Sequence, residues 1–86
     1  MSQTNFIIVT IRSHVPPSAD IKDFKFGKPF QISLENNSNV EALLQQLYYK
    51  NIKELGFIAI NGKLAARDRI LLEGDVVYIY NMLLGG

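Results

Sequence analysis

Apolar residues occupy the even positions Phe24, Phe26, Phe30, Ile32 and Leu34. A period of two is that of a half-buried strand. Gly27-Lys28-Pro29 interrupts the alternation, so the strand proper is predicted from about Phe30 to Glu35, with Pro29 suited to its first position. Upstream, Asn5 to Arg12 is a near-continuous apolar run rich in β-branched residues. Such a run predicts a central strand buried on both faces. Between the two lies a loop from Ser13 to Ala19, where Pro16-Pro17 excludes regular pairing. The period then changes. Val40, Leu43, Leu44, Leu47 and Tyr48 follow the i, i+3, i+4, i+7, i+8 spacing of one helical stripe, which predicts a helix of about three turns. Ser38-Asn39-Val40-Glu41 matches a capping box, with Ser38 as the cap and Glu41 reaching back.

After the helix the pattern returns to short runs. Phe57 to Ile60 reads as a buried strand, and Asn61-Gly62 is the signal of a two-residue type I′ hairpin into Lys63-Leu64-Ala65. Ala66 to Leu72 is a connection, with Ile70 and Leu71 or Leu72 expected underneath the sheet. Glu73-Gly74-Asp75 is a turn, with Asp75 accepting backbone hydrogen bonds, and Val76 to Tyr80 a last strand. The element order is strand, strand, helix, strand, strand, strand. If the last strand pairs in parallel with the first, a mixed sheet is crossed by one main helix. That is an α+β architecture, the β-grasp or ubiquitin-like fold. The expected organisation is a β-grasp domain over residues 1–81 and a flexible C-terminal tail over 82–86, ending in Gly-Gly.

Composition narrows the function. Eighty-six residues suffice for one small domain. Nine basic and eight acidic residues, spread along the chain, give a net charge of +1 and argue against a nucleic-acid or membrane surface. The absence of cysteine removes disulfide and thiolate chemistry and fits the cytoplasm, and no signal peptide or membrane span is legible. No nucleophile–base pair, metal-ligand cluster or phosphate loop stands out, so the chain is not expected to be an enzyme by itself, nor to hold a metal or a bound cofactor. The single histidine, His14, has no partner in the sequence and receives no catalytic role. Tyr48, Tyr49, Tyr78 and Tyr80 read as packing residues, and Arg67-Asp68-Arg69 as a solvated loop.

Three stretches carry a resemblance. Ile60-Asn61-Gly62-Lys63, then Leu71 or Leu72 followed by Glu73-Gly74-Asp75-Val76-Val77, then Gly85-Gly86, resemble the ThiS/MoaD family of sulfur-carrier proteins. Two features depart from its patterns. Met82-Leu83-Leu84 stands where molybdopterin-synthase small subunits often carry prolines, and the loop from Ser13 to Gly27 is longer than in thiamin-type carriers. The resemblance implies a protein cosubstrate whose reacting group is its own end. The Gly86 carboxylate would be adenylated by an activating enzyme that uses ATP, then converted to a thiocarboxylate with sulfur from a donor protein. An acceptor synthase or large subunit would receive the sulfur. Gly85, Leu84 and Leu83 would thread a partner's channel, since glycine lacks Cβ and six residues from Asn81 to Gly86 reach about 20 Å. Tyr78, Tyr80 and Met82, on the exposed face of the last strands, would form the docking surface, since aromatic residues and methionine are enriched in interface cores. Two other readings remain at this level: a ubiquitin-like modifier conjugated through Gly86, and an interaction domain with an inert terminus.

Overall fold

The structure, a computed structural model, describes residues 5–82. Strands β1 (Phe6–Ser13) and β2 (Phe30–Glu35) precede helix α1 (Val40–Leu47), and a single 3₁₀ turn at Ile52–Glu54 leads into β3 (Leu55–Ile60), β4 (Lys63–Ala65) and β5 (Val76–Asn81). The five strands form one sheet in the order β2-β1-β5-β3-β4. β1 and β5 run parallel, with Arg12 opposite Tyr78, and the other pairs are antiparallel. The expected mixed sheet with one main helix is therefore present.

β1 is central in its hydrogen bonding and buried on one face only. Ile7, Val9, Ile11 and Ser13 point into the core, while Phe6 is 57% exposed and Ile8 and Arg12 also face outward. The expectation of a strand buried on both faces is corrected. Among the described residues there is one α-helix, which covers one side of the sheet, and apolar residues at both parities hid the period of two. The core lies between that side and α1, where Val40, Leu43, Leu44, Leu47 and Tyr48 all bury against Val9, Ile11, Val77 and Ile79. Leu71 joins them from the connection, whereas Ile70 and Leu72 stay exposed.

α1 has eight residues, about two turns and not three. Its cap also differs from the expected box. Asn39 is the N-cap, and its Oδ1 accepts from the Ala42 N–H at 2.8 Å. Ser38 instead donates its hydroxyl to the Glu35 carbonyl at 2.7 Å. Glu41 pairs with Gln45 and Arg67 and does not reach back. The reason is tertiary. The Val40 and Glu41 N–H groups, orphans at any helix start, donate to the Arg69 and Arg67 carbonyls at 2.9 and 2.8 Å. The connection after β4 thus caps the helix as much as the helix caps itself.

The long loop after β1 is tied to the other end of α1. Ser18 and Ala19 N–H groups both donate to the Leu47 carbonyl, and Asn51 Nδ2 donates to the Pro16 carbonyl. Beneath it, the buried Tyr48 hydroxyl meets Ser13 Oγ at 2.6 Å, and Ser13 is fixed in turn by the Val15 backbone. Burial pushes the Tyr48 phenol up to about 12, against the opposing effect of Ser13.

Candidate functional site

The chain reaches its C-terminal residues through β5, so the site is built from whatever fixes that strand. At its entry, Asp75 lies in the turn after Leu72 and is almost fully buried. Its carboxylate accepts from Asn61 Nδ2 at 2.9 Å, from the Leu72 N–H at 2.9 Å and from Arg69 at 3.0 Å. Burial alone would raise its pKa. The Leu72 N–H, the Arg69 and Asn61 hydrogen bonds and the Arg69 charge outweigh that and hold it below the ordinary carboxylate value. Asn61 closes the arrangement from the hairpin. Its N–H donates to the Val76 carbonyl and its Oδ1 accepts from the Val76 N–H, both at 2.9 Å. With φ of +52° at Asn61 and +87° at Gly62, the turn has the positive angles a type I′ hairpin requires. The Asn-Gly and Gly-Asp segments of the sequence are thus one interlocked clamp. Arg69, expected in a solvated loop, is part of it.

At its exit, β5 is held by β3. The Met82 N–H donates to the Glu54 carbonyl at 2.9 Å. Between the pairs Leu55–Asn81 and Ile58–Ile79 the register shifts by a bulge, which lets both Leu55 and Ile58 face the core. Beyond the bulge the strand alternates normally, with Ile58 and Ile60 inward, so Phe57 faces outward on the parity of Ala59 and is 51% exposed, and the expectation of a buried third strand fails there. Gly56 is the residue that permits the approach. A Cβ on it would stand 2.6 Å from the Asn81 carbonyl oxygen.

The outward Phe57 completes an aromatic group on the open face of the sheet. Its ring centroid is 4.6 Å from that of Tyr80, Tyr78 follows at 6.5 Å, and His14 stacks on Tyr80 at 5.4 Å. The Arg12 guanidinium lies over the Tyr78 ring at 5.9 Å. Phe57, Ala59, Leu64, Val76, Tyr78 and Tyr80 line an open hollow of about 600 Å³, with Leu64 75% exposed at its edge. Of the expected docking residues, Tyr78 and Tyr80 come together here. Met82 does not join them. It is exposed, lining one depression with Lys53, Glu54 and Asn81, and another with Glu41, Gln45 and Arg67. Leu83, Leu84, Gly85 and Gly86 lie outside the described residues. Sequence reasoning missed Phe57, Leu64 and His14. For Leu64 a signal existed, because the hairpin register sets it opposite Ala59 on the outward parity. For Phe57 the same outward parity with Ala59, between inward Ile58 and Ile60, was a signal; for His14, placed by the loop after β1, there was none.

Among the described residues no group of three or more His, Cys, Asp or Glu side chains is placed to hold a metal, and no helix is long and apolar enough to cross a membrane.

The ThiS family matches residues 19–86, four-fifths of the chain, including both turn motifs and the Gly-Gly end. The chain belongs to the ThiS family. No curated protein matches the chain in sequence. Among solved structures, a protein from Pyrococcus furiosus described as a molybdopterin converting factor, subunit 1, superposes with a TM-score of 0.61 at 17% identity. The match covers 90% of this chain and 99% of that one. At this identity the likeness speaks for the β-grasp fold, which the two chains share. In a ThiS-family chain, the Asn61–Asp75 clamp and the Gly56 contact fix the two ends of the strand that leads to the C-terminal residues.

Proposed function

We propose that this chain is a sulfur-carrier protein of cofactor biosynthesis and that the reacting group is the carboxylate of Gly86. The observation that carries the reading is the ThiS family match, which runs through Gly86. The name of the structural neighbour, a molybdopterin converting factor subunit, is in keeping with the same kind of chemistry. The anchored β5 supports it, since a strand clamped at both ends gives the residues beyond Met82 a fixed point of departure. A carboxylate is a poor electrophile. Attack of the Gly86 carboxylate on the α-phosphate of ATP releases pyrophosphate and leaves an acyl-adenylate. A persulfide sulfur of a donor protein then attacks the carbonyl carbon, AMP departs, and a second thiol cleaves the acyl disulfide to leave a thiocarboxylate.

In this reading the chain is a cosubstrate and not an enzyme. The catalytic groups belong to an adenylating enzyme, a sulfur donor protein and an acceptor synthase or large subunit. The open face around Tyr78 and Tyr80 is the docking surface, and Leu83 and Leu84 anchor the threaded tail, each worth about 1.5–3 kcal/mol if fully buried. The reading is tested by ATP–pyrophosphate exchange with the cognate adenylating enzyme, followed by intact mass of the chain from cells. A mass gain equal to exchanging one oxygen for one sulfur at the C terminus is expected. Covalent ladders on other proteins, without that species, would replace the carrier with a protein modifier. Neither signal would leave an interaction domain.

A further inference from the structure

The open face carries a second apolar patch at the end away from β5's exit. The alternation along β1 sets Phe6, Ile8, Thr10 and Arg12 on that face, with Phe6 and Ile8 exposed. Leu72, 60% exposed, flanks them from the turn whose Gly74 N–H donates to the Ile8 carbonyl. The rim of this patch is acidic. Glu35 lies directly opposite Phe6 in the β1–β2 register, and Glu73 accepts from the Ile8 N–H at 2.8 Å. The rim of the aromatic patch is basic, because Arg12 sits over Tyr78. One face therefore bears two apolar patches with opposite charge, with Phe6 and Arg12 about 20 Å apart along β1 at ~3.3 Å per residue.

We propose that the open face pairs with the same face of a second copy of this chain, strands antiparallel, with Tyr78 and Tyr80 of each copy against the partner's Leu72 and the adjoining Phe6–Ile8 patch. A two-fold axis parallel to the sheet and perpendicular to the strands, at the level of Thr10, brings Arg12 of each copy to Glu35 and Glu73 of the other. Such an interface is isologous and closes at two copies. Aligned packing of sheets about 10 Å apart is an ordinary geometry. The area sets its strength. Even the whole face, five strands at ~4.8 Å by six residues at ~3.3 Å, gives at most about 500 Å² per partner. Stable interfaces bury about 800 Å² per partner, so this dimer is transient and concentration-dependent. Its consequence rests on the carrier reading: the dimer covers Tyr78 and Tyr80, so self-association and partner docking exclude each other.

The test is sedimentation equilibrium of the full chain over a wide concentration range. A reversible monomer–dimer equilibrium is expected. Arg12→Glu turns two symmetric attractions into repulsions and should raise the dimer Kd by about tenfold or more. Glu35→Arg should do the same, and the two changes together should restore association. Both side chains are exposed, and circular dichroism and melting of each variant verify that it folds. Intermolecular contacts between Phe6 or Ile8 and Tyr78, sought by NMR in a sample of mixed isotope labelling, give the geometry. A chain that stays monomeric at every concentration, a dimer indifferent to Arg12→Glu, a double variant that fails to recover, or contacts confined to the outer edge of β2 would each overturn the proposal. Pyrophosphate exchange on the same samples separates it from the carrier reading. An adenylated monomer defeats only the dimer, and a dimer that is never adenylated defeats only the carrier.

Discussion

Asp75 is where three segments meet, and its charge is part of how they are held. Asn61, Arg69 and the Leu72 N–H all donate to one carboxylate. Because its pKa is lowered in the folded chain, folding is favoured by the ionised form. That contribution is complete above the unfolded pKa of about 3.9 and is lost as pH falls through the lower folded value. Urea melts of the wild type should therefore lose stability on acidification below about pH 4, and Asp75→Asn should flatten that slope while starting from lower stability at neutral pH. An unchanged acid limb in the variant would show that the charge is idle. Asp75→Ala removes the acceptor from three donors and is expected to cost about 1–3 kcal/mol. Asn39 offers a second test among single residues. Asn39→Ala should cost about 0.5–2 kcal/mol, because Asn39 and not Ser38 accepts from the helix. Ser38→Ala, at a site where the hydroxyl bonds only the Glu35 carbonyl in a turn, should cost less; equal losses in denaturant melts would put the cap back on Ser38.

At the scale of elements, β3 against β5 is the sensitive contact. Gly56→Ala places a methyl group against the Asn81 backbone, which has no flexible end to yield, and the strands must separate at the bulge. A loss of roughly 1–3 kcal/mol is expected, as for other overpacked sites, with hydrogen exchange quickening at Met82, whose N–H is held by the Glu54 carbonyl. If Gly56→Ala melts like the wild type, the bulge is not the constraint described. The same contact shows what the chain made legible and what it did not. The stripe from Val40 to Tyr48 announced α1 because a single helix face must be apolar to bury. Asn61-Gly62 announced its hairpin because few residue pairs accept two positive φ angles. Tyr78 and Tyr80 were readable as outward by their parity with buried Val77 and Ile79. What failed depended on distant partners. The bulge that brings Leu55 into the core is a relation between two strands, the carbonyls that displaced the capping box come from residues 67 and 69, and Met82 lines depressions beside Glu54 and Arg67 apart from the aromatic hollow.

At the scale of the whole molecule, the sheet's open face and the C-terminal residues have separate tasks in the carrier reading, and substitutions should separate them. Phe57→Ala and Leu64→Ala remove exposed apolar surface from the hollow. They should weaken binding to the adenylating enzyme while leaving melting nearly unchanged. With a net charge of +1, salt should weaken that binding only modestly; its abolition by moderate salt would shift the docking surface toward Arg67 and Arg69. The end of the chain answers to length. Deleting Gly86, or adding one residue after it, should abolish adenylation with stability unchanged within about 0.5 kcal/mol. The reacting atom is the terminal carbonyl carbon, and a misplacement near 1 Å costs on the order of a hundredfold in rate. One residue shifts that atom by about 3.3–3.6 Å, and the clamped β5 leaves the described part of the chain no slack to compensate. Gly86→Ala keeps the length and adds one methyl group, so it should be the milder change. Pyrophosphate exchange and C-terminal mass analysis give the readout. An extended chain that is still adenylated or carries sulfur would show that Gly86 is not the reacting end, and the open face would then be the part of the molecule that works.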